Sequence, residues 1–534
     1  MQIVSDKWKE EHDKNLLNES YVEVSLDIAD PEALANASPQ DNGAIHISDS
    51  SQLTNGVDKH PTPYCTLEQN LWCLDGNRKA IPESDFGDSS YMSDVLSDDI
   101  CMFSEKRPVI TITLDRVYSK LIPGVTITWS STYGEFADSF IVSAYKGETL
   151  VAEKEILGNR SITSLIYVDI NEYDKIIITI TKWCLPNHRA RIEEILIGIK
   201  KIYGKTELFD YTHKQSVDPV STSLPKFEIT FSIDNVNGEY NPYNTGGLSK
   251  YLMARQEVKS RYGQKLDDGT IEWIEGGTFY LSEWSAKQNG ITAEFTARDL
   301  LEFLSATYID NHDLNSRSLY NLAETILSAA NLPLNSNGEL KWVIDDSLKS
   351  KYTTAPLPED SLANCLQLIA NAGECVLYQD RTGILHIEPL KFEDTDYKID
   401  SFNSYSKSEI TLSKPLKQVK VKVYSYTIGE KGIESNTTET IYPEDSVINA
   451  DGEIITIDNP LITSVERANS LSAWLATHLS HRMKLDSNWR VDVRLDALDI
   501  VTNKNDYVNN RVRMTDVEFK YNGAFRGNGE GKVI

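Results

Sequence analysis

The stretch Ser232–Asn244, SIDNVNGEYNPYN, decides how the middle of this chain is read. It is short and oxygen-rich and holds one glycine, so it invites comparison with a calcium loop. An EF-hand loop needs oxygen ligands at alternate positions, glycine at the sixth and a bidentate acid at the twelfth. With Gly238 at the sixth place, Ile233 takes the first and Asn244 the twelfth. Neither supplies the ligand that its place demands. Asn237-Gly238 is instead a turn pair, and Asn241-Pro242 pushes the chain extended. The stretch is therefore read as a turn that ends a strand. That strand is KFEITFSID, with Phe227, Ile229, Phe231 and Ile233 on one face.

The same period-two pattern extends in both directions. Downstream, GGTFYLSEWSAKQNGITAEFTARD reads as a hairpin turning at Gln288-Asn289-Gly290. Upstream, VITITL from Val109, GVTITWS from Gly124, SFIVSAY from Ser139 and KIIITITKW from Lys175 fit a β-sandwich over residues 61–204. Residues 1–60 are acidic and rich in Asn and Ser, and read as an extended arm with a little structure, such as Ser20–Ile28. Helical spacing appears only later. SLYNLAETILSAAN aligns Leu319, Leu322, Ala323, Ile326, Leu327 and Ala330 on one stripe. DSLANCLQLIANAG offers Asp360 as N-cap and Gly373 as stop, and VLYQDRTGILHIEPL bends at Asp380–Gly383. These form a small α/β unit over residues 301–395. Strands return at LKQVKVKVYSY and NNRVRMTDVEFKYNG, with one helix, VERANSLSAWLATHLSHRM, between them. The fold class is mainly β with a smaller α/β portion.

The 534 residues carry a net charge of −27, and the first hundred hold 20 Asp and Glu against 6 Lys and Arg. A protein that grips nucleic acid shows the reverse, a basic patch that releases counterions. The acidity serves solubility, and it also suits a surface that repels DNA. No apolar run approaches the about 20 residues that cross a bilayer. The start, MQIVSDKWKEEHDKN, lacks the layout of a secretory signal, so the expected place of synthesis and assembly is a cytoplasm. The six cysteines form no CxxC and are read as buried thiols.

Few constellations suggest chemistry. His478 and His481 lie one helical turn apart, but no acid or cysteine nearby completes a metal site, and His478 falls near an apolar stripe. Asp496 and Asp499 invite a paired-carboxylate reading and are taken as loop caps instead. Arg189 and Arg191 stand near Trp183 and are read as partners of Glu193 and Glu194. No Walker loop, HExxH, GxSxG or dinucleotide fingerprint is present. The chain is read as non-enzymatic, without cofactor or metal.

Residues 231–263 (FSIDNVNGEYNPYNTGGLSKYLMARQEVKSRYG) and 271–304 (IEWIEGGTFYLSEWSAKQNGITAEFTARDLLEFL) resemble tail-tip and baseplate hub proteins of phages infecting Gram-positive bacteria. The helix ERANSLSAWLATHLSHR and the closing NWRVDVRLDALDIVTNKNDYVNNRVRMTDVEFKYNGAFRG resemble the same family. The likeness spans residues 225–534. TLEQNLWCLDG to KWCLPNHRARIEEILIGI resembles an N-terminal, galactose-binding-like β-sandwich found in some of these proteins.

The resemblance implies two tube-like β-barrel hub domains, over residues 205–300 and 396–534, with the α/β unit outside them. Three such chains would make a pseudo-sixfold ring at the distal end of a virion's tail tube, closing it and later passing DNA. It implies as partners a distal tail or tail tube protein, a tape measure protein and receptor-binding or fibre proteins. Relatives often carry a lytic extension. This chain stops at GNGEGKVI, so cell-wall hydrolysis is the weakest reading. The alternative is carbohydrate-binding adhesion through the N-terminal sandwich, with Trp129, Trp183 and Arg189 as glycan or docking contacts.

Overall fold

The computed structural model describes residues 1–55, 65–66, 68, 71, 90–287, 290–308, 314–330, 332–333, 340–429, 432–442, 451–504, 507 and 509–534. The chain is mainly β, with antiparallel sheets dominant. Thirteen strands form one large sheet. In chain order they are β1 Ser20–Ala29, β2 Gly198–Tyr203, β3 Leu208–Ser216, β4 Lys226–Asp234, β5 Glu257–Lys265, β6 Ile271–Ala286, β7 Thr292–Arg298, β8 Asp394–Ile399, β9 Glu409–Leu412, β10 Met483–Trp489, β11 Ile500–Lys504, β12 Asn509–Tyr521 and β13 Phe525–Val533. They run in the order β2-β1-β5-β6-β7-β4-β3-β12-β13-β10-β9, with β11 on β12 and β8 on β11.

The alternation in KFEITFSID is real. Phe227, Ile229, Phe231 and Ile233 are buried in one apolar cluster with residues of β1, β5, β6, β7 and β12. The turn after it is held by its own side chains. Gly238 sits at φ +65° and donates its N–H to the Asn235 carbonyl at 2.8 Å. Asn235 Oδ1 accepts from the Tyr240 N–H at 2.9 Å, and Asn241 Oδ1 from the Tyr243 N–H at 3.0 Å. Oxygens that looked like ligands are thus spent on backbone donors. β6 and β7 pair as the expected hairpin, although Gln288 and Asn289 lie outside the described residues.

Two segments find their place only in the structure. The acidic N-terminal arm is built into the fold: β1 lies between β2 and β5, burying Val22, Val24, Leu26 and Ile28. Composition reflects the polar flanks of this strand, whereas its alternation decides its place. Trp8, on the helix Asp6–His12, is also buried, and its indole N–H donates to Asp492 Oδ1 at 3.1 Å. Second, the described residues between 416 and 479 do not continue the large sheet. Leu416–Gly429, Gly432–Tyr442 and Glu453–Ile457 form a separate three-stranded sheet. Its Val419, Val421 and Val423 share a core with Leu471 and Leu475 of the helix Val465–Leu479 and with the helices Leu319–Ala329 and Leu362–Ala372.

The second of those helices ends at the expected Gly373, its C-cap, but starts one residue later than expected. Ser361 is the N-cap, its hydroxyl accepting from the Asn364 N–H at 3.2 Å, while Asp360 accepts from the Ser361 N–H. The left-handed residue is Glu374 (φ +58°) and not Gly373, which is pressed against Leu348. Its carboxylate accepts from Ser470 Oγ at 2.6 Å, tying this helix to the next.

Toward the N-terminus, a five-stranded sheet that contains Val109–Tyr118, Ala137–Lys146 and Tyr173–Trp183 shares one core with a three-stranded sheet. The latter contains Ile122–Thr128 and Thr163–Ile170.

Gly527, Gly529 and Gly531 alternate along β13 and lie over Val491, Met514 and Val512. A Cβ on Gly529 would meet the backbone oxygen of Asp516 in β12, which cannot yield without opening the pairing. Gly529→Ala is expected to destabilise by about 1–3 kcal/mol, read as a lower urea midpoint. The exposed Gly246→Ala control should stay within about 0.5 kcal/mol of wild type.

Candidate functional site

β12 divides one edge between two partners. β13 runs along its other side, Asn509–Arg513 pairs with β11, and Asp516–Tyr521 pairs with β3. Where the edge is handed over, the loop Leu495–Asp499 fills the fork. Leu498 donates its N–H to the Met514 carbonyl at 2.8 Å and accepts a left-handed φ of +73°. Into this fork reaches the bend of the hairpin Val376–Gln379/Leu385–Glu388. Arg381, at its tip, is buried. Its guanidinium donates to Asp496 Oδ1 at 2.6 Å and to the carbonyls of Glu275 (3.0 Å), Val493 (2.7 Å) and Leu495 (2.9 Å). One side chain thereby joins β6, the α/β unit and the closing segment.

Asp496 also accepts from Gln215 Nε2 at 3.0 Å and Gln2 Nε2 at 3.1 Å, and Asp499 Oδ2 accepts from the Asp496 N–H at 2.8 Å. Burial alone would raise Asp496, but Arg381 and the amino group of Met1 hold it below the usual carboxylate range. Burial and the neighbouring Asp496 push Asp499 up. The pair that suggested hydrolysis is thus a structural clasp with its oxygens occupied by Arg381, two glutamines and backbone. Spacing marked Asp496 and Asp499, but nothing in the sequence marked Arg381 or Gln215, whose partners are more than a hundred residues away.

The three candidate glycan or docking residues are placed differently from one another. Trp129 and Trp183 are 0% exposed and pack edge to face at 6.0 Å. Their indole N–H groups donate to Ser164 Oγ at 2.8 Å and Glu135 Oε2 at 2.9 Å. Ring stacking on a sugar needs an open ring face, so this structure does not support direct contact through either tryptophan. Arg189 stays partly exposed; its guanidinium donates to the Ser93 carbonyl at 2.8 Å, and its N–H to Glu68 Oε1 at 2.8 Å.

The expected pairing of Arg189 and Arg191 with Glu193 and Glu194 is corrected. Arg191 is buried between Glu135, at 3.0 Å, and Glu68. His188 Nδ1 lies 2.9 Å from Glu135 Oε1. Sequence neighbours lost to acids far along the chain at a register shift in the pairing, where Ala190, Arg191 and Ile192 are all buried.

His478 is buried against Trp474, at 4.9 Å, and burial pushes its pKa down to about 4. Among the described residues no group of three or more His, Cys, Asp or Glu could hold a metal ion. No helix of the described residues is long and apolar enough to cross a membrane.

No family model matches the chain, and no curated protein does. Solved structures do resemble it. The 43 kDa tail protein of prophage MuSo2 from Shewanella oneidensis shares 12% identity, over 62% of this chain and 95% of that one, with a TM-score of 0.41. The tail protein from Neisseria meningitidis MC58 shares 9%, over 62% and 93%, at 0.42. Prophage tail protein gp18 from Listeria monocytogenes EGD-e shares 10%, over 62% and 90%, at 0.38.

Two substitutions probe these clusters. Arg381→Leu leaves Asp496 buried without its nearer cation and is expected to destabilise by about 3–5 kcal/mol, seen as a lower urea midpoint. Trp183→Ala opens a cavity and removes a donor from Glu135. It is expected to lower stability by about 3–5 kcal/mol, and a differential scanning calorimetry trace should show the loss.

Proposed function

We propose that this chain is a structural protein of a phage tail tip, acting as a trimeric hub that closes the tail tube and passes DNA. The observation that carries this reading is the pairing of β3 with β12, Tyr211↔Tyr521 through Ser216↔Asp516. It joins the two segments that resemble hub proteins into one continuous sheet. A wall that must surround a duplex needs such continuity, because open edges between two halves would leave unpaired backbone groups. In this reading residues 205–300 and the large-sheet strands of 396–534 supply the two tube-like parts of each chain, three chains complete the ring, and residues 301–395, with the separate small sheet and its helix, lie outside.

The charge of −27 supports the same reading, since a polyanion slides past an acidic wall without sticking. Contacts around the ring are head to tail, as rotational closure of one chain type requires. The distal tail or tube protein and the tape measure protein would meet the ends of the ring, and fibre proteins its outside. The N-terminal β region, residues 61–204, would serve as a docking surface, with Arg189 the sequence-marked candidate that remains reachable.

The test is a reconstruction of the intact particle that produces this chain. Density for three copies on the tail axis at the distal end is expected. A position off that axis, or absence from purified particles, would overturn the reading.

A further inference from the structure

The middle of β3 holds a histidine that no contact described so far uses. His213 is 0% exposed and pairs through its backbone with Ile229 of β4 and Phe519 of β12, so it sits on the joint between the halves of the sheet. Its Nδ1 is hydrogen-bonded to the Tyr262 hydroxyl. Its Nε2 has no hydrogen-bond partner among the described residues. Aromatic rings enclose it: Phe227 at 5.0 Å, Phe519 at 5.3 Å, Phe279 at 5.9 Å and Tyr262 at 6.0 Å.

The polar groups facing this ring cannot balance a positive charge on it. On its own strand, the Tyr211 hydroxyl is hydrogen-bonded to Ser260 Oγ at 3.0 Å and to the Tyr262 hydroxyl at 2.8 Å, both of β5. From the α/β hairpin, Arg381 brings a cation whose Cζ lies 5.6 Å from the Tyr262 ring and 5.9 Å from the Phe519 ring. Asp496, the carboxylate whose charge favours a proton here, is already bound by Arg381 and Gln215. The aromatic faces attract a cation, yet burying an unpaired charge costs several kcal/mol, more than such faces return.

We propose that His213 is an acid-operated release: protonation of its ring loosens the pairing of β3 with β12. The neutral ring suits the folded joint, and burial followed by Arg381 holds its pKa well below the ordinary histidine value. The sign follows from linkage. Stability from the neutral ring is whole above the unfolded pKa of about 6.5 and falls as pH drops below it, by up to about tenfold in the opening constant per pH unit. The release is independent of whether the chain forms a hub.

Hydrogen exchange on the full chain, corrected for intrinsic rates, tests this at pH 7.5 and 4.5. In wild type, opening at residues 211–216 and 516–521 should rise at least tenfold more than in His213→Phe, which keeps an apolar ring without a proton to gain. Residues 176–180, in the distant N-terminal sheet, should respond alike in both. Equal acid responses at the joint, or no response in wild type, would overturn the proposal. If His213→Phe does not fold, histidine-ring NMR on unmodified protein decides. The ring should stay neutral until the joint opens, and titration near pH 6.5 with the joint still protected would refute the release.

Discussion

The fold depends on one guanidinium placed where a strand changes partners. β12 cannot pair with β11 and β3 along one edge without a fork between them, and a fork leaves backbone carbonyls facing inward. Arg381 answers two of those carbonyls, Val493 and Leu495, and also Glu275 in β6. Five donors in a fixed plane are what such a place requires, and lysine could not span it. Asp496 then balances the charge at 2.6 Å. Because the arginine arrives on a hairpin from the α/β unit, that unit is fastened to the sheet by polar geometry as well as by packing.

This arrangement explains why the apolar cores divide as they do. One cluster runs from Trp8 through β1 to Phe525, uniting both halves of the large sheet. A second gathers the three helices of the later chain with the separate three-stranded sheet. Contact between them is polar at the fork. A greasy seam would tolerate slippage, whereas a clasp with fixed donors and acceptors admits one register.

The strands were legible because their burial follows period two. Phe227 to Ile233 and Val22 to Ile28 show it plainly, as does Ile176, Ile178 and Ile180 near the N-terminus. The helix stripe from Leu319 to Leu327 was equally open to reading. Membership of a sheet was not legible. Leu416–Gly429 alternates as cleanly as β12, yet the helix Val465–Leu479 covers its apolar face and removes it from the large sheet. Of the candidate site, spacing marked Asp496 and Asp499 but could not show that their neighbours were a glutamine and an arginine from far along the chain. The same holds for Trp129 and Trp183: an aromatic on a strand looks alike whether it faces a sugar or a core.

With those tryptophans enclosed, the described surface is marked by a strand edge and by charge. β9 ends the large sheet and, among the described residues, pairs only with β10, and all four of its residues are exposed, including Ile410 and Leu412. Many basic side chains are committed to carboxylates, as Lys200 is to Glu194, Lys201 to Glu239 and Arg511 to Asp394. Pairing of this kind removes equal numbers of each sign, so the surplus of acid is left to the solvent-facing surface. Such a surface repels other polyanions over about a Debye length, roughly 8 Å at physiological salt.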